Sequence, residues 1–447
     1  MKRSSKLTCA IFLLAALPGL AAAQDSIGVH EFSLKQAIAY AEKNNVQVKN
    51  ALLDYQIQQQ TNKEITAAAF PSINGSLSTT YNAKLPVSLV PAEFFGGTAG
   101  TFQKIAFGTK WNASYGVELN QLLFDGQVFV GLQAKASSLE FRTKTMEITK
   151  EAVRANITKI YYQLVVSRKQ MELLDANISR LEKLQHDTRE IYKNGFAEKL
   201  DVDKLTVALA NLNSEKTRTE NLIGNGYLGL KVLMGMPVAE KLVLTDTISD
   251  SQIKETALDP GSFKFSDRLD YQALSVGIKL REYNIRRYKL SKLPTVSLNA
   301  YYNKNAQRNK FDFFSGEWFD ISAISMRINI PIFSGGAANA RIQKARYELN
   351  QDMNNRTAME LNINYEIEQA RNNFHTAITN MDYQRRNMEL AESVYQQTKK
   401  KYEMGLGSQT EITAAQTDLK AAQTNYITAL YDAIIAKVDF QKATGKL

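Results

Sequence analysis

Trp111-Asn112-Ala113-Ser114-Tyr115-Gly116-Val117-Glu118-Leu119-Asn120 alternates, residue by residue, between one side-chain class and another. A period of two over about ten residues is a β-strand with an apolar and a polar face. Two readings fit. The strand packs its apolar face on a soluble core, or it belongs to a membrane barrel with lipid on one face and a wet lumen on the other. Three further stretches share the pattern. Ile73, Leu77 and Tyr81 alternate with Asn74, Ser76 and Ser78; Val296, Leu298, Ala300 and Tyr302 alternate with Ser297, Asn299 and Asn303. In the fourth, Phe319, Ile321 and Ala323 hold one phase and Ile324, Met326 and Ile328 the other, which predicts a bulge. Tyr81, Trp111, Tyr115, Tyr302, Trp318 and Phe319 crowd near the loop ends of these strands, as membrane-interface aromatics do. That girdle favours the barrel. Four strands cannot close, and an open edge cannot face lipid. The barrel must therefore be shared between chains, and three chains give twelve strands.

Proline marks the rest of the architecture. None of the eight prolines lies between 92 and 236 or after 331, and no glycine interrupts Ala337 to Met404. Proline costs about 3 kcal/mol in a helix interior, so these tracts permit very long helices. A helix of about 65 residues is near 100 Å long, which implies an elongated molecule. Ile412, Ala415, Leu419, Ala422, Tyr426, Ala429, Ala433, Ala436 and Phe440 form a coiled-coil stripe.

The chain also repeats itself. Tyr192-Lys193-Asn194-Gly195 corresponds to Tyr402-Glu403-Met404-Gly405, and Phe124-Asp125-Gly126 to Phe333-Ser334-Gly335. Phe70-Pro71-Ser72-Ile73 corresponds to Leu293-Pro294-Thr295-Val296. The first repeat carries extra residues around Leu85–Thr101, which read as a longer loop. The predicted plan is a first repeat over 24–237, a linker over 238–266 and a second repeat over 267–447. Each repeat holds a helix, two strands and two long helices. The strands fall at about 71–83, 110–123, 294–304 and 318–332, and the long helices at about 127–193, 199–235, 337–403 and 408–444.

Lys2, Arg3 and Lys6, an apolar core from Leu7 and the run Ala21-Ala22-Ala23 read as a secretory signal peptide over 1–23. Cys9 lies inside it, too near the start for lipoprotein cleavage, so no lipid anchor is expected. Loss of the three bases lowers the net charge from +10 to +7, scattered rather than blocked, which is no nucleic-acid footprint. With one Cys and three dispersed His, the sequence offers no metal centre, cofactor motif or catalytic constellation. No enzyme activity is expected.

The doubled plan, the Pro-led strands, the aromatic-Asp/Ser-Gly strand exits and the two Tyr-x-x-Gly turns resemble the TolC-like outer-membrane efflux protein family over essentially the whole mature chain. The resemblance implies a homotrimer in the Gram-negative outer membrane. A 12-stranded barrel would continue into a periplasmic helical barrel with a closed tip. Its partners would be outer-membrane lipid, a periplasmic adaptor and an inner-membrane pump, and its role a passive duct for drugs, toxic small molecules or polypeptide. It implies adaptor-docking turns at Asn194, Gly195 and Phe196 and at Met404, Gly405 and Leu406. It also implies a periplasmic gate at Tyr192, Asp201, Tyr402 and Glu411, with Tyr402 and Asp201 in inter-helix hydrogen bonds. The chain departs from the family at Gly407, where a gate arginine is expected, and at Ala414, where a second acid is expected. A soluble periplasmic coiled-coil scaffold is the alternative.

Overall fold

The computed structural model describes residues 29–248, 253 and 263–447. The expected signal peptide and residues 249–252 and 254–262 of the expected linker lie outside them. In chain order the elements are β1 (Val29–Phe32), α1 (Leu34–Asn44), α2 (Val46–Ala67), β2 (Ser72–Tyr81), β3 (Val87–Pro91), β4 (Phe102–Ala106), β5 (Trp111–Phe124), α3 (Gly126–Lys193) and α4 (Lys199–Met234). There follow β6 (Lys241–Leu244), α5 (Leu269–Leu290), β7 (Thr295–Arg308), β8 (Phe319–Asn329), α6 (Ala337–Glu403) and α7 (Gln409–Ala443). No described helix is long and apolar enough to cross a membrane.

The four long strands form one antiparallel sheet in the order β2-β5-β7-β8. Its register sorts the side chains cleanly. Leu77, Tyr115 and Lys304 share a row, as do Ile73, Leu119, Ala300 and Ile324. The face so defined exposes Ile73, Leu77, Val117, Ile324, Met326 and Ile328. The other carries Ser78, Ser114, Asn120, Asn299 and Asn303, with a hydroxyl contact of 2.7 Å between Ser78 and Ser114.

Several expectations need correction. The predicted bulge in β8 is absent: pairing with β7 runs unbroken from Thr295 opposite Asn329 to Asn305 opposite Phe319. The irregularity sits instead in the β5–β7 ladder, between Leu122 and Phe124. The change of phase in β8 has another cause, since Phe319 and Ile321 lie opposite Asn305 and Asn303 on the polar face. Phe319 therefore stands apart from the other aromatics. The strand expected to end at 304 reaches Arg308, and β8 stops at Asn329, just before Pro331, which has no N–H to give a ladder. The extra residues of the first repeat fold into the β3–β4 hairpin rather than an open loop. The helix expected ahead of β2 is two, α1 and α2, and β1 pairs in parallel with β6, which the sequence pattern did not announce.

The helices form four columns. α3 packs against α2 and α4 on one side and against α5 and α7 on the other, and α6 packs against α5 and α7. Column order thus follows strand order, because each strand feeds, or is fed by, the helix beneath it. Two columns are each built from two helices laid end to end. At the first joint α4 ends on Gly235, φ +72°, and Asn45 Nδ2 donates to Leu233 O at 2.6 Å. The Asn45 carbonyl oxygen of the side chain accepts from the N–H of Gln47 at 2.8 Å, capping α2. At the second joint α7 ends near Gly445, φ +68°. There Arg268, at the start of α5, donates to Ala443 O at 3.3 Å and pairs with Asp270 at 2.6 Å and Glu366 at 2.7 Å. Burial alone would raise the Asp270 carboxyl; the Arg268 hydrogen bond and charge outweigh it and hold Asp270 below the usual range.

A Cβ at Gly235 would stand 2.4 Å from the Asn44 carbonyl oxygen, whereas one at Gly195 would meet nothing within 4 Å. Both glycines have positive φ. Gly195→Ala is expected to destabilise by about 1 kcal/mol from backbone strain, and Gly235→Ala by about 3 kcal/mol or more because backbone must also move. Thermal unfolding followed by circular dichroism ranks the two.

Candidate functional site

The tip is built by two matching turns. α3 ends with Gly195 N–H donating to Tyr192 O at 2.9 Å and Phe196 N–H to Ile191 O at 3.0 Å. α6 ends with Gly405 N–H donating to Tyr402 O and Leu406 N–H to Lys401 O, each at 2.9 Å. Both are Schellman closures, which require a left-handed residue, and φ is +79° and +75°. The closure leaves the flanking side chains in solvent: Phe196 is 85% exposed, Leu406 72% and Met404 65%. Asn194 is spent locally, its Nδ2 donating to Glu190 O at 2.8 Å.

Above the turns the four expected gate residues part company. Tyr402 reaches across to α3, its hydroxyl 3.3 Å from Oγ1 of buried Thr188, which also donates to Gln409 Oε1 at 3.4 Å. Asp201 makes no such crossing; its carboxylate lies 3.8 Å from Lys204, one turn along its own helix. Glu411 lies 3.8 Å from Lys401, and its N–H donates to the capping Ser408 Oγ at 3.2 Å. Tyr192 is exposed.

Sequence reading missed a second seam on α7. Gln409, Gln416 and Gln423 recur every seven residues and all turn towards α3. Asn177 Nδ2 donates to Gln423 Oε1 at 2.8 Å, and Gln416 Nε2 donates to Asn177 O at 3.3 Å. Asn177, Gln416 and Gln423 are all buried. The heptad spacing of glutamine on an otherwise apolar stripe was the available signal. Below them Leu181, Leu184, Leu205 and Ile412 form a core shared by α3, α4 and α7.

At the far end of the molecule the aromatics converge on the apolar face of the sheet. Ring centroids are 4.7 Å apart for Tyr81 and Trp111, 4.9 Å for Trp111 and Phe311, and 4.9 Å for Tyr115 and Trp318. Tyr302 donates its hydroxyl to Asp320 at 3.0 Å, and Asp320 pairs with Lys304 at 3.2 Å. No group of His, Cys, Asp and Glu among the described residues is arranged to hold a metal.

A long helical section, an amphipathic four-stranded sheet and paired helical turns are thus joined in one chain, and residues 266–446 match the family model for outer membrane efflux protein. Over those residues the chain is similar to the outer membrane efflux proteins. Outer membrane protein TolC of Vibrio cholerae is 19% identical over 337 residues, 75% of this chain and 77% of that protein. Outer membrane efflux protein BepC of Brucella suis is 22% identical over 422 residues, 93% of this chain and 86% of that one. Among solved structures, CusC superposes with a TM-score of 0.74 at 17% identity, covering 92% of each chain. VceC of Vibrio cholerae gives 0.70 at 16% identity, covering 92% of this chain and 96% of the other.

Asn177→Leu strands the amide oxygen of Gln423 in a buried seam and is expected to destabilise the tip by about 2 kcal/mol. Replacing Asn177 and Gln423 together by Leu removes both side-chain partners of that bond and should recover most of that loss. Hydrogen exchange of α7 amides distinguishes the two variants.

Proposed function

We infer that this protein is the outer-membrane channel of a tripartite export system, a passive duct from an inner-membrane pump and its adaptor to the exterior. It resides in the outer membrane and extends into the periplasm. The observation that carries the reading is the pair of open edges. β2 and β8 each pair on one side only, while the sheet between them exposes a continuous apolar face. In lipid an unpaired strand edge leaves several kcal/mol per backbone group unmet. The outer columns repeat the same need: α4 exposes Leu200, Val207, Leu222 and Val232, and α6 exposes Leu361, Tyr365, Tyr383, Leu390 and Val394. A second copy answers all of these at once, its β2 beside this β8 and its α2–α4 column beside this α6.

Closure at three copies follows from size. Two copies give about eight strands, a barrel filled by its own side chains, whereas twelve leave a lumen. The apolar face then meets lipid, the aromatics stand at the interface, and the hydroxyl and amide face lines the channel. A soluble scaffold has no use for an exposed apolar sheet face. At the tip, Phe196 and the Met404–Leu406 pair are the apolar contacts offered to an adaptor, and Tyr402 with Thr188 helps hold the helices closed. Asp201 and Glu411 act as first-turn acids favouring their helix starts. The cargo classes are drugs, toxic small molecules and secreted polypeptide. BepC is named for efflux, and PrtF of Dickeya chrysanthemi for secretion of proteases.

Light scattering of detergent-solubilised protein, corrected for bound detergent, should give the mass of three mature chains. A monodisperse monomer that needs no detergent would sink the channel reading. Phe196→Asp or Leu406→Asp should abolish crosslinking to the cognate adaptor while leaving the trimer intact; unchanged crosslinking in both would place the docking surface elsewhere.

A further inference from the structure

The channel reading leaves the charge on the polar face of the sheet unused. Along β2, β5, β7 and β8 the register gives that face serine, threonine, asparagine and a few apolar groups, and only two charged residues, Glu118 and Arg327. Glu118 is answered within the sheet, since Asn299 Nδ2 donates to its Oε1 at 2.8 Å. Arg327 is exposed and has no ion pair or side-chain hydrogen bond to another described residue. It lies opposite Ser297, two residues before β8 ends. That is the last part of the lumen wall before the strands hand over to helices. Glu118 shares its row with Tyr301 and Ala323, four residues further out, or roughly 13 Å along the strand. The two bases of β7 are spoken for on the opposite face: Lys304 pairs with Asp320, and Arg308 donates to Glu317 O at 2.6 Å.

We propose that Arg327, repeated around the threefold axis, makes the base of the barrel a binding step for polyvalent anions, such as phosphorylated cargo. The inference rests on the trimeric channel described above. Twelve strands spaced about 4.8 Å apart and tilted about 40° give a backbone radius of roughly 12 Å. An extended arginine covers about half of that distance. Three guanidinium groups then stand within about one Debye length of the axis at physiological salt, where that length is about 8 Å. Their fields overlap there instead of being screened apart. Guanidinium is also the cation whose fork matches phosphate oxygens in pairs. A monovalent anion gains little from such a ring, while an anion with several charges can engage two or three arginines together.

The full-length protein in planar bilayers at 0.15 M KCl tests this, with tripolyphosphate added on the side of the strand-connecting loops. The wild-type current should be blocked. Arg327→Gln should weaken the block about tenfold, Arg327→Glu should abolish it, and Arg327→Lys should retain much of it. Raising KCl to 1 M, where the Debye length is about 3 Å, should suppress it in every form. Equal block in wild type and Arg327→Gln overturns the proposal. So does a block lost in Arg308→Gln but kept in Arg327→Gln, which would place the site at the mouth. A wild-type trimer that forms no conducting pore overturns the channel reading and this inference with it, an outcome distinct from a pore that conducts but ignores the anion.

Discussion

The rest of the structure depends on one demand: no strand may present an unpaired backbone edge to hydrocarbon. A chain with four membrane strands cannot meet it alone. Its β2 and β8 each lack a partner on one side, and in the proposed channel further copies complete the sheet. The helices inherit the arrangement. Because β2, β5, β7 and β8 each adjoin one column, the order of strands fixes the order of α2–α4, α3, α5–α7 and α6, and the open edges of the sheet lie above the open columns of the helical section.

Between sheet and tip the duplication solves a length problem. α3 and α6 run uninterrupted for 68 and 67 residues. Their neighbours cannot, because the chain must turn back to the sheet, so each neighbouring column is pieced together from two helices. The joints are where glycine matters. Gly235 and Gly445 adopt positive φ and bring a helix end against the start of the next, so that a side chain at either would strike backbone. The half-buried Arg268 then ties α5, α6 and α7 together at one height.

Much of this was legible in the sequence because its signals are periodic. Alternation in 111–120 and 296–303 fixed strands, and long proline-free tracts fixed helices to within a residue or two. What escaped had no period to show it. β1 and β6 are four residues each and pair across more than two hundred residues of chain. The phase change at Ala323–Ile324 looked like a bulge because the polar face was assumed to carry polar groups only, whereas β8 puts Phe319 and Ile321 on it. At the tip the resemblance led to Tyr402, which does cross between helices, and to Asp201, which faces Lys204. The glutamine rung was visible at spacing seven but was hidden behind the more obvious apolar stripe of the same helix.

The two tip turns share a backbone but not a surface. One offers an aromatic ring at Phe196, the other a thioether and a branched aliphatic at Met404 and Leu406. In the proposed trimer these alternate around the axis, so its periplasmic end would have near-sixfold geometry with only threefold chemistry. An adaptor that arrives in six identical copies would have to seat itself in two unequal environments. One that discriminates between them would bind in two successive affinities, and a titration curve would reveal the duplication as a biphasic isotherm.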